Sequence, residues 1–301
     1  MLLPQALTLE SYSQQLRQGE VWAPALKALA AQYAPGHPPE LIPFGSALVC
    51  RLGPEQVLKL LPPFWQQEAV TEAAALATAQ DRLSVAIPTL YATGELEGWP
   101  YLLMETLPGT PLDRVWPRLD GTNRRFLLQQ VGELIQELQS LPIPPAFTPW
   151  HTRLPLRQQE LPQRLADHHI PEVLQPTLLT HLAEHFPKLA STMPHCFLQG
   201  DLTGEHLLVY QQNGRWELCG LFDFGEAFAG PACYEMIAPL LHLGLSAQER
   251  SWLWECAQID PPQPLLPWIL SHPHWSVSLH QAIVSAQESA TPLTSLESHL
   301  S

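Results

Sequence analysis

Positive charge is scarce in this chain. Among its 301 residues, 15 Lys and Arg stand against 29 Asp and Glu, a formal net charge of −14, and no basic run offsets the total. A surface of that sign repels phosphate-rich polymers, which argues against nucleic acid as a partner. Cysteine is sparse and unpatterned. Cys50, Cys196, Cys219, Cys233 and Cys256 make no C-x-x-C pair, and an odd number fits no complete disulfide framework, so they are expected to be reduced and mostly buried. Long apolar runs are missing too: no stretch approaches the length that crosses a bilayer, and the opening "MLLPQALTLE" has neither a basic n-region nor a long apolar core. The expectation is a soluble, cytoplasmic protein with no membrane partner.

What is present is a chain with 46% hydrophobic residues, enough to bury a sizeable core in one large domain or two lobes. Its texture changes near residue 107. Before that point, a helical opening ("LESYSQQLRQGEVWAPALKALAAQY") and a Pro-rich break lead into "LIPFGSALVCRLGPEQVLKLL", whose short apolar runs and Gly/Pro punctuation predict a meander of strands. An Ala-rich helix ("FWQQEAVTEAAALATA") and a strand, turn and strand ("TLYATGELEGWPYLLMETL") follow. Beyond it the chain turns helical: "NRRFLLQQVGELIQELQSL" sets Phe126, Leu127, Val131, Leu134, Ile135 and Leu138 at helical spacing, and amphipathic segments fill 155–190. "HLLVYQQNGRWELCGLFDF" reads as a hairpin turning at Asn213-Gly214. No repeat period is evident, and the last residues, about 30 of them and rich in Ser, Pro and His, are expected to fray.

Charge interrupts this pattern in two places. In "FLQGDLTGEHLLV" an Asp and a Glu lie between apolar runs, and the hairpin that starts there returns at "LFDFGEA", which brings Asp201 and Asp223 to one end of a two-stranded ribbon. Converging carboxylates without cationic neighbours repel and call for a metal ion or a shared proton. Upstream, Lys59 stands inside an apolar strand, where an unpaired ammonium is expensive, and Glu72 on the following helix is its natural counter-ion. A strand lysine held by a helix glutamate, a loop Asp, and a second Asp after a hairpin are, in that order, the parts of phosphoryl transfer from a nucleotide.

On these residues the sequence resembles the protein-kinase-like fold, and more closely the aminoglycoside phosphotransferase and choline kinase superfamily. The resemblance covers most of residues 41–240 and rests on the order of "VLKLLPP", "EAAAL", "YLLMETLPGTPL", "VGELIQELQSLPIP", "QGDLTGEHLLV" and "LFDFGEAFAGPACYEM". It implies an α+β, two-lobed fold: residues 1–106 as a lobe of antiparallel sheet with one helix behind a helical extension, and 107–301 as a larger, mostly helical lobe. It implies ATP or GTP with magnesium or manganese, and a small-molecule acceptor read by the helical lobe. For the site, it implies Asp201 as the group that orients the acceptor hydroxyl, Asp223 and His206 as metal ligands, and Lys59 paired to Glu72 on the phosphates. Gly45 and Ser46 would lie over the phosphates, Met104 and Glu105 would offer backbone groups to the base, and Leu208 would line its pocket.

The chain departs from the family pattern at three positions. Gln199 stands where the family usually has His, His206 where it usually has Asn, and Glu235 where it has Asp. Two readings remain open: a kinase acting on a small, possibly cationic hydroxyl compound, or a pseudokinase that binds nucleotide or serves as a scaffold. Protein phosphorylation is disfavoured, because no long segment with A-P-E follows "DFG". His181 and His185 in "HLAEH" have metal-compatible spacing, but an exposed helix face is the simpler reading of that pair.

Overall fold

The computed structural model describes residues 1–4, 7–43 and 45–275, so the expected fraying of the last residues lies almost wholly outside them. In chain order the elements are α1 (Leu9–Gln15), α2 (Gly19–Tyr33), β1 (Pro39–Ile42), β2 (Leu48–Leu52), β3 (Gln56–Leu60), α3 (Gln66–Ala79), β4 (Leu90–Leu96) and β5 (Trp99–Glu105). Then come β6 (Thr110–Pro111), α4 (Leu112–Val115), α5 (Gly121–Ser140), α6 (Trp150–Asp167), α7 (Gln175–Ser191), β7 (His195–Leu198), β8 (Leu207–Gln212), β9 (Arg215–Leu221), β10 (Phe228–Pro231), α8 (Ile237–His242), α9 (Ala247–Ala257) and α10 (Leu266–Ser271).

The first five strands form one antiparallel sheet in the order β1-β2-β3-β5-β4. Side chains alternate across a strand, so one sheet serves two cores. Leu58, Leu60, Trp99, Tyr101 and Leu103 pack beneath α1 and α2, together with Tyr12 and Trp22. Leu102, Met104 and Leu61 face the other way, into the core that runs on through α3 and α5 to the helices beyond. Lys59 lies between Leu58 and Leu60 in sequence, so the pleat aims it at this second face. The β4–β5 turn has positive φ at both Glu97 (51°) and Gly98 (86°), and the β8–β9 turn repeats this at Asn213 (52°) and Gly214 (80°). Both are tight hairpin turns whose twist matches the flanking strands.

Two expectations shift in detail. The helical opening is two helices, with the side chain of Thr8 capping the first. On α5 the buried stripe is Leu127, Leu128, Val131, Leu134, Ile135 and Leu138. Phe126 falls at its edge, under the Arg215 guanidinium 3.4 Å from the ring centroid, because Leu128 is better phased for the core. Of the five cysteines, all free, only Cys50 and Cys233 are fully buried.

Gly132 lets α5 and α9 approach closely. A Cβ there would lie 2.5 Å from Cys256 Cβ and 2.7 Å from the Cys256 carbonyl carbon. Gly132→Ala is therefore expected to lower the melting temperature: overpacking of about 1–3 kcal/mol outweighs the gain of about 1 kcal/mol in helix propensity. An unchanged or higher melting temperature would show that α9 yields freely.

Candidate active site

The lobes enclose a cleft of about 550 Å³ lined by Gly45, Ser46, Lys59, Glu72, Met104, Glu105, His206, Leu208 and Asp223, among others. Every residue nominated from sequence except Asp201 lines it. Asp201 lies just behind, where its backbone carbonyl accepts from His206 Nδ1 at 2.8 Å.

Lys59 anchors the cleft floor. Its Nζ donates to Glu72 Oε2 and to Asp223 Oδ1, both at 2.8 Å, and its side chain is 8% exposed. Glu72 belongs to the stripe of α3 that faces the core with Ala69, Ala75, Leu76 and Ala79. Its second oxygen, Oε1, accepts from the Phe224 N–H at 3.3 Å, so one carboxylate joins the sheet to the segment after β9. Burial alone would depress the Lys59 pKa, but Asp223 and Glu72 hold it above the ordinary lysine value. Desolvation would raise the Asp223 carboxyl, and the charge of Lys59, assisted by His206, instead holds it well below the usual range.

Asp201 and Asp223 do converge at one end of the β8–β9 hairpin, whose register pairs Leu207 with Leu221. His206 lies between them. A carbonyl can only accept, so the bond to Asp201 O places a proton on Nδ1, and in the neutral ring the lone pair is then on Nε2. That nitrogen stands 3.7 Å from Asp223 Oδ2, the oxygen not engaged by Lys59. A neutral imidazole nitrogen and a carboxylate oxygen form a donor set that suits a divalent ion, more naturally manganese than the harder magnesium. Asp201 Oδ1 is buried and has no protein hydrogen-bond partner.

Three residues outside the expected machinery hold this geometry. Gln199, fully buried, accepts the Asp201 N–H on Oε1 at 2.8 Å and donates from Nε2 to the Asp223 carbonyl at 2.6 Å. One amide thus clips both carboxylate-bearing segments, and it restrains Asp223 in a left-handed backbone conformation (φ 63°) that non-glycine residues adopt at some cost. Gly200 has φ 84°, and a Cβ on it would lie 2.5 Å from the Glu226 carbonyl oxygen. Glu235, 1% exposed, accepts the Gly200 N–H at 3.3 Å. Beside Met104, the Glu105 N–H donates to the Thr89 carbonyl at 2.9 Å, and the Glu105 side chain accepts from Thr89 Oγ1 at 2.7 Å. Sequence gave no sign of this, because the pairing depends on where Thr89 falls beside β5. Leu107 also lines the cleft.

Residues 46–253 match the model of the phosphotransferase enzyme family. The chain belongs to that family. Solved structures share its fold at low identity: the GDP complex of aminoglycoside 2′-phosphotransferase-IIIa has a TM-score of 0.64 at 14% identity, covering 92% of this chain and 98% of the other. The aminoglycoside phosphotransferase APH(3″)-Id from Streptomyces rimosus gives 0.65 at 15%, covering 82% and 96%. The streptomycin–ATP ternary complex of APH(2″)-IIa gives 0.60 at 14%, covering 92% and 95%. No curated protein matches the chain.

Burial pushes the Glu235 carboxyl up to about 8, against the pull of the Gly200 and Gln199 N–H groups and with a further push from Asp201. The folded state then holds a proton that the unfolded chain releases near 4.5. The resulting stabilisation is complete below that value and is lost as pH rises towards about 8, at up to about 1.4 kcal/mol per pH unit. Glu235→Gln cannot lose this proton. Its melting temperature relative to the parent should climb between pH 5 and pH 9, and a difference that is flat with pH would place the carboxyl in its ionised form throughout.

Proposed function

We propose that this phosphotransferase is a small-molecule kinase that moves the γ-phosphoryl group of ATP or GTP to a hydroxyl. The observation that carries the reading is the cleft-floor trio, Lys59 between Glu72 and Asp223, with Asp201 and His206 beside it. The nucleotide would lie where residues 1–106 meet residues 107–301. Its base would face Met104 and Leu208, with the Glu105 carbonyl and the Leu107 N–H as hydrogen-bonding groups, and its phosphates would approach Lys59 beneath Gly45 and Ser46.

In this mechanism the acceptor oxygen attacks the γ-phosphorus, the bond to the β–γ bridging oxygen breaks, and the hydroxyl proton passes to the Asp201 carboxylate. Lys59 holds the phosphates. Asp223 and His206 would hold a divalent ion, which when bound neutralises charge on the phosphate oxygens. Gln199 keeps the two Asp residues in register. The formal charge of −14 favours a cationic acceptor such as an amino sugar or an aminoglycoside, and fold neighbours are complexes with kanamycin and streptomycin.

The test is ADP release with a panel of hydroxyl acceptors, for the parent and for Asp201→Asn. The variant should bind nucleotide almost as the parent does and turn over about 10²–10⁴-fold more slowly. Unchanged turnover would remove Asp201 from the chemistry. A parent inert towards every acceptor while still binding nucleotide would favour the pseudokinase reading.

His206→Asn exchanges the imidazole for an amide oxygen. Activity ratios with manganese and magnesium should move towards magnesium in the variant. Identical ratios in variant and parent would remove His206 from the ligand set.

A further inference from the structure

One flank of α7 carries a second group of metal-ligating side chains. The helix buries Leu178, Leu182 and Leu189. His181 and His185 lie half-buried along the edge of that stripe with Glu184 exposed beyond them, at i, i+3 and i+4, and one ligand atom from each lies within 4.8 Å of the other two. None of the three lines the cleft.

Two features distinguish this group from an ordinary polar helix face. The His185 Nδ1 is 2.9 Å from the His181 carbonyl oxygen. The carbonyl can only accept, so Nδ1 carries the proton and Nε2 keeps its lone pair, the arrangement by which backbone carbonyls orient metal-bound histidines elsewhere. The two imidazoles are also in contact, their centroids 4.6 Å apart, which brings the rings close enough to share one ion. The Lys188 amine, one turn beyond Glu184, donates to the Gln263 carbonyl.

From this geometry we propose that His181, Glu184 and His185 form a binding site for a zinc-class divalent ion, separate from the cleft. Two imidazoles and one carboxylate are a three-ligand set that leaves the fourth tetrahedral position to water. The site has a structural consequence. Pro187 lies inside α7 and has no N–H to give to the Ala183 carbonyl, so the helix lacks a hydrogen bond in this turn. An ion bridging residues 181–185 clips the weakened turn.

The experiment is calorimetric titration of the full chain with Zn²⁺ in the presence of excess Mg²⁺, with no nucleotide, together with melting scans. The parent should take up Zn²⁺ and melt at a higher temperature with it. His185→Ala should lose one equivalent and the zinc-dependent rise in melting temperature, with His181→Gln as a second variant should the first fail to fold. Glu184→Gln should weaken binding about tenfold or more. His206→Asn should keep the site intact, which separates this proposal from the kinase reading. Equal zinc uptake by parent and histidine variants, or a Glu184→Gln variant that matches the parent, would overturn the assignment.

Discussion

Lys59 is an ammonium largely withdrawn from water at the cleft floor, and the arrangement of the cleft follows from that. Its burial is tolerable only because Glu72 and Asp223 each accept a hydrogen bond at 2.8 Å. Those two partners come from different layers: Glu72 from α3 against the sheet, Asp223 from the loop after β9. Satisfying one charge therefore fixes the separation of the lobes. Glu72 adds the Phe224 N–H to the same junction. Removing Lys59 would leave Glu72, with its side chain 2% exposed, as an uncompensated buried charge, a cost of about 3–5 kcal/mol.

The segment carrying Asp201 is held by a second layer of polar contacts. Gln199 fixes the backbone of both Asp201 and Asp223, and Glu235 fixes Gly200 from below. These bonds matter because one oxygen of Asp201, Oδ1, has no protein hydrogen-bond partner and the Asp223 side chain, held by Lys59 through Oδ1, is still 39% exposed. Gln199 performs both tasks with the two ends of one amide, an acceptor towards Asp201 and a donor towards Asp223. Gln199, at a position where the family usually has histidine, thus links the two segments.

Much of this was legible in the sequence for identifiable reasons. A lysine in an apolar strand demands a counter-ion, and Glu72 on the next helix was a natural candidate. Asn213-Gly214 fixes a tight hairpin, and a hairpin brings its two ends together, so Asp201 and Asp223 had to meet. What depended on packing was not legible. The Lys59–Asp223 pair spans 164 positions and exists only once the lobes close. The bond from the Glu105 N–H to Thr89 depends on Thr89 lying beside β5, and the raised Glu235 pKa depends on burial that "CYEM" does not announce. On α5 the periodicity identified the helix, but the choice between Phe126 and Leu128 belonged to the core.

The central claim is that the Lys59, Glu72 and Asp223 trio is a grip for the phosphates and metal of a nucleotide, beyond its role in joining the lobes. Thermal unfolding with and without ATP or GTP, in magnesium and in manganese, tests it most directly. At a hundredfold excess over the dissociation constant, a bound nucleotide should stabilise the parent by about 2.7 kcal/mol, and Asp223→Ala should lose the metal-dependent part. A parent whose melting temperature is unmoved by either nucleotide with either metal would contradict the account and leave the trio a purely structural clamp.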